Sequence, residues 1–501
     1  MERTFRISMN WLHTWAGVVL GGVLFAIFWM GTLSVFDREI DRWMAPAMRL
    51  AAPTEAVTSI DALRRFYDIA VAAKSPIWGV TLPTERVPAI RVSWREGSVL
   101  AERFLDPDTG RILDAGSLGG SRFLYPFHYM LHVRVGQIGY WCVGLAGMAM
   151  MALCVSGIIV HRKIFSDFFT LRADRKPRRL ILDLHNVTGV LGLPFHFVIS
   201  LSGLAIFATL YFPSSWQVVY EGDQRAFSAE AHGTIRLPRA GQPAGMTSFD
   251  AMAAEARRLW GDGPLRNVVV RNPGDAKAVV EIARLDPGSV GTSYDVAFFD
   301  GPTGMLLGHR IGTPPVLSIE RFVTGLHLIQ FRHWLLRWLY FWMGLAGCVV
   351  IATGYFFWLE SRRERHARLG LRGVPAVEGL VTGSVTGIVI ATLAFFVVNR
   401  ALPSGMAVLG QSRAALEIWA FYLVWLVTFA HAWLRPGRAW IEQCWAVAAL
   451  AIAAALLNWI TTGDHPGITL FHRSLWPIAG MDLLLLGSAA VAGVAARRLR
   501  A

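Results

Sequence analysis

Charge is scarce in this chain. Only 17% of its 501 residues are Asp, Glu, Lys or Arg, well below the share of an ordinary soluble domain. Cysteine is scarcer still: there are four, Cys142, Cys154, Cys348 and Cys444, each inside or beside an apolar run. None forms CxxC or CxxCH, which excludes a disulfide framework, a thiolate zinc site and covalently attached c-type haem. No strand-flanked GxGxxG, P-loop or HExxH occurs, so nucleotide cofactors and zincin chemistry have no foothold. What fills the chain instead is hydrophobic residues, 54% of the total, with 20 Trp and a mean hydropathy of +0.43. That composition belongs to a membrane protein, and Trp near the ends of apolar runs suits an aromatic belt.

A span needs about 20 apolar residues. Eight runs qualify, at about 9–36, 137–160, 185–211, 336–358, 379–398, 414–434, 442–460 and 475–496. The first is too long for a signal-peptide core and reads as a retained helix. Arginine and lysine cluster in 161–184, in 359–376, at Arg435 and Arg438, and in the C-terminal ARRLRA. With eight spans these all fall on one side together with Arg3 and Arg6. By the positive-inside rule that side is the cytoplasm and both termini lie there. The formal charge of +13 is then a topology signal, not a nucleic-acid footprint.

Two long segments remain outside, 37–135 and 212–335. Each reads as one amphipathic helix (SIDALRRFYDIAVAA; TSFDAMAAEARRLW) followed by short strands and a late turn, DPDTG in the first and DGPTG in the second. These are two copies of a small α+β domain. The spans repeat as well. LHTWAG opens span 1 and LHNVTG opens span 3, and His13 to Gly31 and His185 to Gly203 are both eighteen residues. GLAG occurs in span 2 (Gly144–Gly147) and span 4 (Gly344–Gly347), each after a Leu-His, at His132 and His327. The expected organisation is a mainly α-helical polytopic protein with about eight transmembrane helices. Its parts are span 1 (1–36), an α+β domain (37–135), spans 2 and 3 with a basic loop (136–211), a second α+β domain (212–335), span 4 with a basic loop (336–376), and an added four-helix bundle (377–501).

A single histidine at a helix end is more often an interfacial or hydrogen-bonded residue than a ligand. Four histidines in two repeat-matched pairs are another matter, because intramembrane ionisable groups are functional candidates. His132 and His327 are expected near the outer face, His13 and His185 near the inner face. Two facing imidazoles at one depth can supply both axial ligands of a b-type haem, and two such pairs would hold two haems. His128, one turn before His132, could replace it. His161 closes span 2 at the inner level. His196 lies eleven residues after His185, on nearly the same face and about 16 Å further along; it could serve the outer haem, bridge the two, or be a buried hydrogen-bonded residue. His333, His431, His465, His472 and Arg337 carry no expectation as ligands, and neither does Asp482, an acid inside span 8 with no partner evident from sequence.

The stretches LHTWAGVVLGG, FHYMLH, SGIIVHRKIFSDFFTLR, DLHNVTGVLGLPFH, LHLIQF and LRWLYFWMGLAG resemble the PepSY-associated transmembrane helix family, iron-regulated membrane proteins that include siderophore reductases. The resemblance covers most of residues 8–360. It implies PepSY-type external domains in the periplasm and an inner-membrane protein with two b-type haems that passes electrons outward to a ferric siderophore. The implied haem-iron ligands are His13, His132, His185 and His327, with His128, His161 and His196 in reserve. Siderophores grip Fe(III) through hard oxygen donors and hold Fe(II) less tightly, so one electron releases the metal. With no nucleotide motif, the donor is expected to be a membrane quinol or a separate cytoplasmic reductase. Arg122, Arg134, Trp141, Arg332 and Trp334 are candidates for the substrate face, although each alone also reads as ordinary interfacial belt. The bilayer is an obligate partner; nucleic acid is not expected. Two alternatives stay open: a regulatory protein whose PepSY-like domains bind peptide without redox chemistry, and a siderophore or metal permease, which the sparse polar residues along the spans disfavour.

Overall fold

The computed structural model describes residues 3–52, 59–161, 177–233, 235–261, 263–285, 288–291, 295–312 and 315–500. Arg162, Lys163, Arg172, Arg175 and Lys176 of the expected basic loop fall outside them. The chain divides into two compact units. A helical unit comprises Met1–Pro46, Gly116–Leu204 and Trp334–Ala501, and a sheet unit comprises Ala47–Ala115 and Ala205–His333.

All eight expected spans form helices long and apolar enough to cross a membrane. They are span 1 (Arg3–Ser34), span 2 (Ile138–Val160), span 3 (Pro177–Ile206), span 4 (Trp334–Arg368), span 5 (Gly373–Ala401), span 6 (Arg413–Leu434), span 7 (Ala439–Thr462) and span 8 (Trp476–Arg500). Small residues set their spacing, as expected where apolar lipid gives no hydrophobic drive for helix association. Span 4 lies so close to span 1 that a Cβ on Gly347 would sit 2.5 Å from the Phe28 ring, and one on Gly344 would sit 2.4 Å from Thr32 Oγ1. Span 5 receives span 6 in the same manner: a Cβ on Gly383 would sit 2.2 Å from Phe429.

The first α+β boundary is narrower than the apolar runs suggest. Residues 37–46 and 116–135 belong to the helical unit. The short helix Asp37–Met44, DREIDRWM, is acidic and basic in sequence yet almost wholly buried. Its polar groups are matched from the added bundle and from span 4. Trp43 Nε1 donates to Asp482 Oδ1 at 2.8 Å, and Asn458 Nδ2 lies 3.1 Å from Asp482 Oδ2, so the acid in span 8 does have partners. Arg337, open to a solvated reading by sequence, is only 1% exposed. It pairs with Glu39 at 2.8 Å, donates to the Val35 carbonyl at 2.9 Å, and lies over the rings of Phe36 and Trp334 at 4.7 and 4.8 Å. Both chain connections to residues 47–115 are pinned by spans 5 and 6. Arg400 donates to the Met44 carbonyl, and Ser117 donates to Glu417, which also accepts from Asn399 Nδ2 at 2.9 Å and Arg413 Nε at 3.2 Å.

The sheet unit departs from the expectation of two separate domains. Its strands are β1 (Ile77–Thr81), β2 (Ile90–Glu96), β3 (Val99–Leu105), β4 (Ile112–Leu113), β5 (Leu265–Arg271), β6 (Val279–Arg284), β7 (Val296–Asp300) and β8 (Leu306–Arg310). They form one antiparallel sheet of order β4-β3-β2-β1-β5-β6-β7-β8. The order is palindromic: the two copies meet at β1 and β5, in the register Trp78↔Val270 and Val80↔Val268. All four of those side chains are buried against the helices Arg64–Ala72 and Phe249–Trp260. Period-2 burial on one face and helical cover on that face explain why the strands were legible in sequence.

The two helices also cap each other. Phe249 N–H and Ser248 Oγ donate to Asp61 at 3.0 and 2.5 Å, while Ile60 N–H donates to Asp250 Oδ1 at 2.7 Å and Ser59 Oγ to Asp250 Oδ2. Partial burial pushes the Asp61 carboxyl up, but the hydrogen bonds from Ser248, Phe249 and Asp250, with Arg64 nearby, outweigh it and hold the group below its usual range. A depressed native pKa stabilises the fold above the unfolded value of about 3.9, and that contribution is lost as pH falls through the native value. Acidification from pH 5 to pH 3 is therefore expected to lower the protection of the Phe249 and Asp250 amides, measured as exchange relative to the intrinsic rate at each pH. Asp61→Asn should show the lower protection at pH 5 and lose most of the step; an unchanged step in the variant would assign it to another group.

Candidate cofactor site

Three of the singled-out histidines stand near the arginine-rich end of the helical unit. His13 lies ten residues into span 1, His185 eight residues into span 3, and His161 directly after span 2. The His13 and His185 rings have centroids 6.3 Å apart and planes at 83°. An imidazole centroid lies about 3 Å from a metal bound to its nitrogen at about 2 Å, so two axial imidazoles on one iron have centroids about 6 Å apart. The observed separation fits that arrangement.

The outer contacts of the rings fix which nitrogen each has for a metal. His13 Nδ1 lies 3.0 Å from Ser156 Oγ. His185 Nδ1 accompanies the Val350 carbonyl at 2.9 Å and Thr353 Oγ1 at 3.4 Å. With Nδ1 committed, Nε2 is the nitrogen through which each could bind a metal, the arrangement by which metal-bound histidines are oriented. Glycines make room: a Cβ on Gly157 would be 3.4 Å from the His13 ring and one on Gly354 would be 3.3 Å from the His185 ring, while Gly189 faces open space. His161 is close enough to His185 to act on it electrostatically, and its buried Nε2 has no hydrogen-bond partner among the described residues. Among the described residues no three His, Cys, Asp or Glu converge as a protein-only metal site would need. A macrocycle that brings four nitrogens of its own asks for only two.

The supporting residues Ser156, Gly157, Thr353 and Gly354 were missed by sequence reasoning. The signal was present: each half of the repeat carries a hydroxyl–glycine pair in its second span, Ser156-Gly157 and Thr353-Gly354. Each pair supports the histidine of the span that opens its own half.

The other candidates lie each within its own unit. His132 follows Leu131 in a left-handed backbone, with φ of 51° and 53° for the two residues. Its Nε2 is 3.3 Å from Arg134 and its ring packs edge-on to Phe123 at 5.1 Å. Two successive non-glycine residues with positive φ cost about 1–3 kcal/mol each and are found where a site holds them in place. His327 lies at the end of the helix Pro315–Leu328 in the sheet unit, and His132 belongs to the helical unit. His128 directs Nδ1 to the Ile27 carbonyl of span 1 at 2.9 Å, over Gly31, where a Cβ would lie 2.7 Å from the ring. His196 is 2% exposed, directs Nε2 to the Met343 carbonyl of span 4 at 3.1 Å and meets the Phe28 ring at 5.6 Å.

The sequence pattern that builds these spans is shared. The model of the PepSY-associated TM region matches residues 10–361. The chain belongs to the PepSY-associated transmembrane family. This PepSY-associated protein is also similar to an uncharacterized protein of Pseudomonas aeruginosa, 30% identical over 363 residues, covering 67% of this chain and 86% of the relative. The match to the family model ends within span 4, so the added spans 5 to 8 lie beyond it.

Proposed function

We propose that this PepSY-associated protein is an inner-membrane electron carrier that holds two non-covalent b-type haems and reduces ferric siderophores on the periplasmic face, releasing Fe(II) for uptake. The observation that carries the reading is the His13–His185 pair: 6.3 Å between centroids, each ring anchored through Nδ1. Bound between these imidazoles, haem iron would supply one-electron exchange between its ferric and ferrous states. The chain's own part is to orient the rings through Ser156, Val350 and Thr353, and to leave glycine-lined room beside them. The repeat in the sequence offers His132 and His327 for the second haem, with His128, His161 and His196 in reserve as ligands of either. On this reading both termini and the arginine-rich segments face the cytoplasm. The electron donor is a membrane quinol or a cytoplasmic reductase.

The test is an absorption spectrum of the purified protein, expressed with ample haem. About two haems per chain are expected, with split b-type bands on reduction and pigment that leaves on acid–acetone extraction. Colourless protein would overturn the proposal and favour a regulatory or permease role.

A further inference from the structure

The inner ends of spans 6 and 7 carry a polar cluster that the haem reading does not use. His431 Nε2 lies 2.8 Å from Glu442 Oε2. Arg435 reaches the same carboxylate, with NH2 2.6 Å from Oε1. Deeper in, Gln443 is 2% exposed. Its Nε2 donates to the Thr428 carbonyl at 2.9 Å and lies 3.4 Å from His431 Nδ1, and its Oε1 is 2.5 Å from Thr386 Oγ1 of span 5. The cluster therefore runs across three helices, from a boundary ion pair to a buried amide and hydroxyl.

Clamping the turn between spans 6 and 7 requires only Arg435 and Glu442. It does not require a histidine backed by that carboxylate, nor a buried amide behind the other ring nitrogen. The His431 and Glu442 side chains are 32% and 35% exposed, at the edge of the helix surface that meets lipid. Val427 and Trp433, both more than half exposed, flank His431 on span 6. A ligand suited to this place has a polar head that gives up protons and an apolar body that lives in the bilayer. Span 7 also touches the span that supports His185. Trp440, in the first turn of span 7, packs edge-on to Phe356 of span 4 at 5.1 Å, and Phe356 is two residues from Gly354, which borders the His185 ring.

We propose that His431, Glu442, Gln443 and Thr386 form a binding and oxidation site for a lipid-soluble hydroquinone, which makes spans 5 to 8 the electron-input module. The inference rests on the electron-carrier reading for the fate of the electrons, but the site itself does not need it. The hydroquinone loses two hydroxyl protons and two electrons and becomes the quinone, while two ferric haem equivalents each gain one electron. The head group replaces the 3.4 Å contact of Gln443 at His431 Nδ1. This nitrogen takes each hydroxyl proton in turn, with Glu442 on Nε2 stabilising the imidazolium, and passes it to water on the arginine-rich side. Gln443 and Thr386 hold the head group by hydrogen bonds.

The full chain in lipid nanodiscs is titrated calorimetrically with decylubiquinone and photolabelled with an azido-ubiquinone analogue. Saturable binding is expected, with the label in residues 428–446. His431→Ala and Gln443→Leu should weaken binding about tenfold each, the effect of one lost hydrogen bond. Glu442→Gln should bind nearly as well but slow reduction by decylubiquinol by about 100-fold or more, as loss of general-base support does. His185→Ala should bind and be labelled like the wild type while failing to pass electrons on. A label confined to other segments, or non-saturable binding, overturns the site whatever the haem content. A label at 428–446 on colourless protein keeps the site and discards the carrier reading. Should a variant lose its thermal transition, the wild-type label position decides.

Discussion

Replacing His185 by alanine should remove one of two low-spin haems and stop electrons entering from the arginine-rich side. The expectation follows from the pair geometry. His185 is fixed to the Val350 carbonyl and faces His13 at a centroid distance of 6.3 Å, so on the proposed carrier reading its loss would leave His13 alone to hold the haem. His13→Ala should do the same from the other side. The haem assigned to the opposite face should remain low-spin and remain reducible by reductants added there, so ferric-siderophore reduction fails in whole cells but survives in membranes reduced from outside. Removing only the support should be milder: Ser156→Ala or Thr353→Ala should weaken haem retention by about 10–100-fold, as loss of an outer hydrogen-bond partner does at metal sites. Haem content per chain and electron paramagnetic resonance of the ferric protein measure both. If His185→Ala keeps two low-spin haems, the pair is not the ligand set, and His161, with its buried ring nitrogen, is the residue to test next.

The second large effect concerns Glu39 and Arg337. The pair is buried, with side chains 7% and 1% exposed, and it ties the short helix Asp37–Met44 to span 4. Taking one partner away leaves the other charge out of water, which costs about 3–5 kcal/mol, whereas replacing both by apolar groups of similar size is often close to neutral. Arg337→Met and Glu39→Gln should each lower unfolding resistance by about that amount, and the double variant Glu39→Leu/Arg337→Met should recover more than half of it. Denaturant titration of the detergent-solubilised protein measures this. A double variant as weak as the sum of the singles would mean that the Val35 carbonyl and the Phe36 and Trp334 rings, not the ion pair, are what Arg337 supplies.

Sequence made the spans legible because lipid demands long apolar runs, and all eight fall where hydropathy places them. The strands were legible because alternation survives in sheets with one covered face. Burial of charge was not. DREIDRWM carries five charged residues in eight, and only tertiary partners on spans 4, 5 and 8 show why it is interior. Asp482 looked solitary because Trp43 stands 439 residues away. Pairing between repeats was invisible for the same reason: each copy's sequence describes its own strands, and nothing in β1 or β5 names the other. Within the candidate site, the repeat pointed to His13 and His185, and the structure brings those two together. It could not tell a ligand from a core histidine at His196, since both uses ask for the same residue on the same face, and the Met343 carbonyl that its ring meets lies on another span.

The β1–β5 junction also has a bearing on biogenesis. Strand β1 becomes an interior strand only when β5 arrives, about 190 residues later in the chain, which at about 5–20 residues per second is a wait of roughly 10–40 s. During that interval the nascent first half carries a free sheet edge, with Trp78 and Val80 beside it, at a time when span 3 has yet to be inserted. Such an edge invites pairing with its own kind. Two nascent chains side by side would offer each other a β1 much like the β5 each is waiting for, so crowded translation of this protein favours tangled dimers unless something occupies that edge. Truncations that end before β5 should therefore fail by aggregation and not by simple unfolding.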